Sequence, residues 1–309
     1  MEEKRYDVII LGGGAAGMTA GIYLGRSKVN AVVLDTGTVG GQMVLTYEIA
    51  NYPGVELTTG YQLSSTMKKQ AKSFGCQIKT NVKITDLSLD GAEKTVTVGD
   101  KTIYKAPALI IATGGRSRML NVPGETEFKG RGISYCATCD GDFFQDKEII
   151  VVGGGNSALE EAVALTKYAS KVTILHEFDH FQAFEHAVEE VKANAKIDFI
   201  MESHIIEFWG DESLRGVKYK NLKTGEVHEK AIDGVFIFIG YEANTDMIKN
   251  TPVELNSRNE IVASEKMETN LPGVFAAGDC RAKQFRQITT AVSDGTIAAL
   301  NAINYIHGK

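Results

Sequence analysis

The sequence predicts an α/β protein built from two copies of one folding unit, the second inserted into the first, and three features of its 309 residues predict it. A short apolar strand, a Gly12-x-Gly14-x-x-Gly17 turn and an Ala/Gly-rich helix open the chain. The same order returns 141 residues later, with Gly153-x-Gly155-x-x-Ala158 as its turn. Near the C-terminus come a further strand, turn and long helix, and if these complete the first unit's sheet that unit is discontinuous. Each copy is expected to be Rossmann-like, a three-layer ββα nucleotide-binding fold.

Taken in order, "YDVIILGGGAAGMTAGIYLGRS" reads as strand, tight turn and helix. Glycine is required at the turn because the backbone must bend sharply, approach a pyrophosphate and pack helix against strand, while the helix N-terminus offers N–H groups to the phosphates. The next strand, "NAVVLDT", ends at Asp35, 18 residues after Gly17, where an acid can accept hydrogen bonds from ribose hydroxyls. From residue 82, "VKITDLSLDGAEKTVTVGDKTIYKAPALIIATGG" alternates in period two around Asp-Gly and Gly-Asp turns and ends in a buried strand, a β-meander returning to a sheet. "KEIIVVGGGNSALEEAVALTKYASKVTILHE" then repeats the opening pattern and sets His176 opposite Asp35, with Glu177 one residue later. Last, "NLPGVFAAGDCRAKQFRQITTAVSDGTIAALNAINYI" gives a strand, a Gly278-Asp279 turn and a helix.

Charge and composition narrow the function. A net charge of −6 and a pI near 5.6 argue against a nucleic-acid partner, which calls for a basic stripe. No segment has the roughly 18 uninterrupted apolar residues of a membrane span, and the N-terminus lacks the apolar core of a signal peptide. A cytoplasmic, membrane-free protein is expected. Four cysteines are too few for a secreted disulfide scaffold, and only Cys136 and Cys139 form a close pair. Zinc would need a second pair, which Cys76 and Cys280 do not make. Redox chemistry suits the spacing better, because two intervening residues allow a small-loop disulfide and a helix N-terminus would favour a thiolate. Asp140 can protonate a leaving thiolate or take the proton of an attacking thiol; its structural alternative is a helix N-cap. Cys76 and Cys280 read as small buried residues.

Several further motifs join these: "GGQ" at 40–42, "NYPG" at 51–54, "ATGG" at 112–115, "CATCD" at 136–140, "GGGNSALEEA" at 153–162, "AAGD" at 276–279 and "RQ" at 286–287. Together, and over nearly the whole chain, they resemble the low-molecular-weight, bacterial-type thioredoxin reductases. The resemblance implies a homodimer with FAD in a discontinuous domain, 1–115 and 246–309, and an inserted domain, 116–245, that resembles an NAD(P)H-binding domain and carries the dithiol. It implies FAD contacts from Gly12, Gly14, Gly17, Asp35, Gly41, Gln42, Asn51, Ala112, Thr113, Gly114, Gly278, Asp279, Arg286 and Gln287. Catalysis would fall to Cys136, Cys139 and Asp140, with Cys139 the flavin-proximal sulfur and Cys136 the one that attacks thioredoxin.

One motif departs from the family pattern. NADPH-dependent members carry His-Arg-Arg-x-x-x-Arg after the second strand of the inserted domain; this chain has Glu177, Phe178 and Gln182 at the arginine positions. A carboxylate facing a 2′-phosphate reverses the sign of a guanidinium clamp. The altered motif resembles the ferredoxin-dependent flavin thioredoxin reductases, which points to ferredoxin as donor; the alternative is NADH, with Glu177 on the ribose 2′-OH. A metal set from His176, His180 and His186 is not expected, since His176 ends a strand and His180 with His186 is not an i,i+4 pair. Phe181 and Phe184 are expected to pack inward from the start of a helix. Two other functions compete: a catalytically silent flavin-binding redox sensor, which predicts a damaged dithiol, and a flavoenzyme linking ferredoxin to a nicotinamide nucleotide, which would lack the Cys-x-x-Cys pair. An intact "CATCD" argues against both.

Overall fold

The computed structural model describes residues 2–46, 49–100 and 102–308. The chain divides into two compact units, Met1–Arg116 with Glu242–Lys309, and Ser117–Tyr241. Among the described residues no helix is long and apolar enough to cross a membrane.

In the first unit the strands Val274–Ala276, Ala108–Ile111, Val8–Leu11, Ala31–Leu34 and Gln77–Lys79 lie in that order in one sheet, every pair parallel. The C-terminal strand thus joins the sheet beside 108–111. Val8–Leu11 reads as an unbroken apolar run because both faces of the sheet are covered. Val8 and Ile10 pack on the helical side, in a core shared with Ala15, Met18, Ala298 and Ala302; Ile9 and Leu11 pack on the other, with Val96 and Tyr104 of the meander. That meander is a four-stranded sheet, Glu2–Arg5, Thr102–Ala106, Lys94–Val98 and Ile84–Ser88 in spatial order. Three layers result.

Small residues let the helices Ala15–Arg26 and Ile288–Ile306 approach closely. A Cβ on Gly295 would run into the carbonyl of Ala16. Helix Gly60–Ser73 starts at a reciprocal cap, in which Thr59 accepts from the Gln62 N–H and the Gln62 side chain accepts from the Thr59 N–H.

The second unit repeats the plan. Strands Ile133–Ser134, Gly234–Ile237, Glu148–Val152, Lys171–Leu175 and Ile197–Ile200 form a parallel sheet. Ile149, Val151, Val172 and Ile174 face the helices Asn156–Leu165 and Glu185–Ala193; Ile150, Val152 and Leu175 face an antiparallel sheet of Ser203–Gly210, Leu214–Asn221 and Val227–Ala231.

Two local expectations change. The helix after the second strand starts at Glu185, so residues 177–184 form a loop. Phe181 packs inward as expected, against Phe199 and His176. Phe184 does not: it is the extended residue ahead of the helix, 64% exposed, with its N–H donated to Asn156 Oδ1 at 2.7 Å. At the C-terminus the long helix starts at Ile288, leaving an irregular stretch of 280–287 after the Gly278-Asp279 turn.

Candidate active site

In the first unit the glycine turn meets the end of strand 108–111 backbone to backbone. A Cβ on Gly12, whose φ is +103°, would run into the Ala112 carbonyl oxygen, and one on Gly17 into that of Gly12. Only a chain without side chains fits there. Cβ atoms on Gly14 and Gly114 would meet nothing within 4 Å, so these positions face open space. Helix Ala15–Arg26 begins at Gly14 with no side-chain cap and no acid in its first turn, which leaves its N–H groups and positive dipole end for an anion. Asp35 is held at the same turn: Oδ2 accepts from Gly13 N at 2.5 Å and Oδ1 from Gly37 N at 2.7 Å.

Gly40 and Gly41 have positive φ, Gly40 donates its N–H to Gly13 O at 2.8 Å, and Gly41 and Gln42 open the short helix Gly41–Leu45, Gln42 exposed and Gly41 buried. Thr113 and Gly114 accept through their carbonyls from Asn244, at 3.1 and 2.9 Å. Asn51 Nδ2 donates to Gln287 Oε1 at 3.4 Å, and Gln287 caps helix Ile288–Ile306. Arg286 pairs with Glu260, which is almost fully buried and bound by Asn256. Asp279 lies 3.7 Å from Lys283 Nζ; burial pushes its carboxyl up while Lys283 and Arg286 pull it down.

Asp294 was not anticipated. From the buried face of the long helix it accepts from Gly278 N (3.0 Å), Arg281 Nε (3.0 Å) and Lys283 Nζ (2.9 Å), which pins the Gly278-Asp279 turn to that helix. An acid in the apolar run "ITTAVSDGTIAAL" was its sequence signal. Glu260 and Ser134 had none.

In the second unit Cys136 and Cys139 form a disulfide with a Cα–Cα distance of 5.3 Å. Cys136 is the N-cap of the one-turn helix Ala137–Asp140, and its carbonyl accepts from the N–H groups of Cys139 and Asp140 at 3.3 and 3.2 Å. Asp140 therefore ends this helix; it stands at the N-cap position of the next one, Gly141–Phe144, as the structural alternative expected, but its side chain makes no capping hydrogen bond there. Both cysteines and Asp140 are half-buried. Burial holds the Asp140 carboxyl above the ordinary aspartate range, Ser134 works against that by hydrogen bonding, and Asp142 adds to it. Cys76 and Cys280 are free and buried, and burial pushes the Cys76 thiol up to about 12. Both are poor nucleophiles.

The second glycine turn carries the same backbone scaffold with different side chains. Gln182 N donates to Gly154 O at 2.8 Å, as Gly40 N does to Gly13 O. Where Asp35 stands in the first unit, His176 lies buried against Gly154, stacked on Phe181 and edge-on to Phe178. Its Nε2 has no hydrogen-bond partner among the described residues, and burial holds the imidazole below its usual range. Glu177 and Phe178 are exposed.

A sheet-turn-helix cradle and a separate helical Cys-x-x-Cys disulfide define a flavin disulfide oxidoreductase. The family described as pyridine nucleotide-disulphide oxidoreductase matches residues 6–295. The chain is 47% identical over 309 residues to a thioredoxin reductase of Listeria monocytogenes, covering 99% of this chain and 95% of that protein. It is 45% identical to the "34.2 kDa protein in rubredoxin operon" of Clostridium pasteurianum, covering 100% and 99%. The crystal structure of thioredoxin reductase from Streptococcus pyogenes MGAS5005 superposes with a TM-score of 0.94 at 40% identity, covering 99% of each chain. The chain belongs to the pyridine nucleotide-disulphide oxidoreductase family, among its low-molecular-weight thioredoxin reductases. FAD is the cofactor of these enzymes, and the open space over Gly14 and Gly114, the uncapped helix start and Asp35 fit a dinucleotide.

Proposed function

We propose that the chain is a thioredoxin-disulfide reductase that draws its electrons from reduced ferredoxin. The observation that carries the reaction is the Cys136–Cys139 disulfide, with Asp140 the next residue in the chain. FAD, when bound, would supply the two-electron store for reduction of this disulfide. Gly12, Gly14 and Gly17 would hold its pyrophosphate, Asp35 its ribose and Asp279 its ribityl chain, while Gly41, Gln42, Asn51, Ala112, Thr113, Gly114, Gly278, Arg286 and Gln287 would line the site. By its resemblance to the family, Cys139 would be the sulfur that receives the flavin's electrons. Cys136 then attacks the disulfide of thioredoxin as a thiolate and forms a mixed disulfide, Cys139 attacks the Cys136 sulfur to re-form the Cys136–Cys139 bond and release thioredoxin as a dithiol, and Asp140 carries the proton between sulfurs. Its raised pKa suits that role, because an acid poised nearer neutrality gives and takes a proton readily. The working enzyme is a homodimer.

For the donor, the supporting observation is the loop 177–182. It has no arginine, it places Phe178 and exposed Glu177 where a 2′-phosphate would need cations, and it sets a neutral His176 in the place of an acid. Two ferredoxins and two protons balance each disulfide reduced. The preserved turn Gly153 to Ala158 supports NADH as the second reading, with Glu177 on the ribose.

One anaerobic experiment separates them. The oxidised protein is mixed with photoreduced ferredoxin, NADH or NADPH, quenched with an alkylating reagent and read by mass for new thiols at Cys136 and Cys139. Two labelled thiols with ferredoxin and none with NADPH are expected. Full labelling by NADPH at a comparable rate would overturn the donor assignment.

A further inference from the structure

Next to the dithiol lies a residue whose chemistry the reaction as described leaves unused. Ser134 ends the strand Ile133–Ser134, paired with Gly234–Ile237, and is only 4% exposed. Its hydroxyl stands at the centre of three polar contacts. It accepts from Cys136 N at 3.1 Å, and it has two acceptors for a single proton: Asp140 Oδ2 at 2.6 Å and Cys136 O at 3.3 Å. A hydroxyl has one donor and can rotate it.

We infer that Ser134 is a positioning residue for the proton carrier, a rotor that satisfies Asp140 in both of its protonation states. With Asp140 ionised, the Ser134 proton points to Oδ2 and stabilises the carboxylate. With Asp140 protonated, the acid proton is donated to Ser134 Oγ and the serine proton turns to Cys136 O. The rotation breaks no covalent bond: Ser134 keeps its single proton in both states, and the only proton gained or lost is the one on the Asp140 carboxyl. The carboxyl of Asp140, the residue after Cys139, thereby keeps its hydrogen bond to Ser134 whether it is about to give a proton or has just given one.

The surroundings leave this control to the serine. Asp142, on the adjoining turn Gly141–Phe144, is the charged group that acts on Asp140, and it pushes the carboxyl toward the neutral form together with burial. Helix Asn156–Leu165, packed against the dithiol helix, carries Glu160 and Glu161. Burial and Glu160 raise the Glu161 carboxyl. Tyr168 covers Gly141 with its ring, and the strand beside Ser134 contributes apolar Val235 and Phe236. Among these groups the Ser134 hydroxyl is the one that favours the carboxylate.

This inference rests on the reading of Asp140 as the proton carrier, and the test keeps the two apart. In full-length protein labelled with 13C-aspartate, infrared difference spectra against pH give the Asp140 midpoint, assigned by its loss in Asp140→Asn. Ser134→Ala is expected to raise that midpoint by about 1 to 2 pH units, the worth of one hydrogen bond to a charged group. Ser134→Thr, which keeps the hydroxyl, is expected to restore it, and the pH profile of thioredoxin reduction moves with the midpoint in each variant. Should Ser134→Ala not fold, Ser134→Cys, with a weaker donor in nearly the same volume, is expected to give a smaller rise. An unmoved midpoint in a folded Ser134 variant lacking the hydroxyl, or equal shifts in the Ala and Thr variants, overturns the inference. Undiminished thioredoxin reduction by Asp140→Asn instead removes Asp140 from catalysis, and the midpoint still decides what Ser134 does.

Discussion

At the scale of single residues, the two repeats differ most at one aligned position. Asp35 accepts from two backbone N–H groups, whereas His176 fills the same place with a ring whose protonation burial disfavours. Protonating it costs the fold, and the sign follows from linkage. An imidazole depressed in the folded state contributes stability above its ordinary value of 6.5, and that contribution is lost as pH falls through the folded value. His176→Gln, neutral throughout, is expected to lose less stability than the parent between pH 7.5 and 5.5, by roughly 2–4 °C in unfolding midpoint for each kcal/mol of linkage removed. Thermal unfolding of both proteins across that range checks it, and parallel curves would show that His176 does not titrate with folding. The alignment with Asp35 was readable in the sequence. That the ring stacks on Phe181 and lies over Gly154 was not, because both contacts depend on a loop path that no periodicity encodes.

Elements were more legible than their ends. Val8–Leu11 and Glu148–Val152 announce themselves as buried parallel strands, and the turns after them by the glycines that backbone contact demands. Loop 177–184 shows the limit. Its residues look like the start of an amphipathic helix, yet Gln182 pairs its backbone with Gly154 and Phe184 gives its N–H to Asn156, and those two long-range bonds delay the helix to Glu185. Because the backbone bonds carry the loop's path, its side chains are open to exchange. Glu177→Arg, Phe178→Arg and Gln182→Arg together are expected to raise NADPH affinity about ten- to a hundredfold, the effect of one or two new charge-assisted contacts to phosphate. Calorimetric titration with NADPH and with NADH measures it. A gain for NADPH alone supports a lost clamp, while an equal gain for both would mean that the added charge acts without reading the 2′-phosphate.

For the molecule as a whole, insertion of one unit into another implies that each closes its own core. The helical and meander-side cores of the first unit draw on residues both before 116 and after 242, and those of the second unit lie wholly within 117–241. The two chain crossings, Gly115–Ser117 and Tyr241–Ala243, are paired strands, so their ends lie side by side. Removing 117–241 and joining Arg116 to Glu242 by a short Gly-rich turn is therefore expected to leave a folded protein that binds FAD. The excised segment is expected to unfold cooperatively, with a heat-capacity change of about 1.5–1.9 kcal/mol/K for its roughly 125 residues, and to keep a reducible Cys136–Cys139 disulfide. Calorimetry of both pieces, with flavin content measured on the first, decides the matter. Failure of the first piece to hold FAD while the second folds normally would mean that the inserted unit supplies part of the flavin site, and the discontinuous domain would no longer be the unit of cofactor binding.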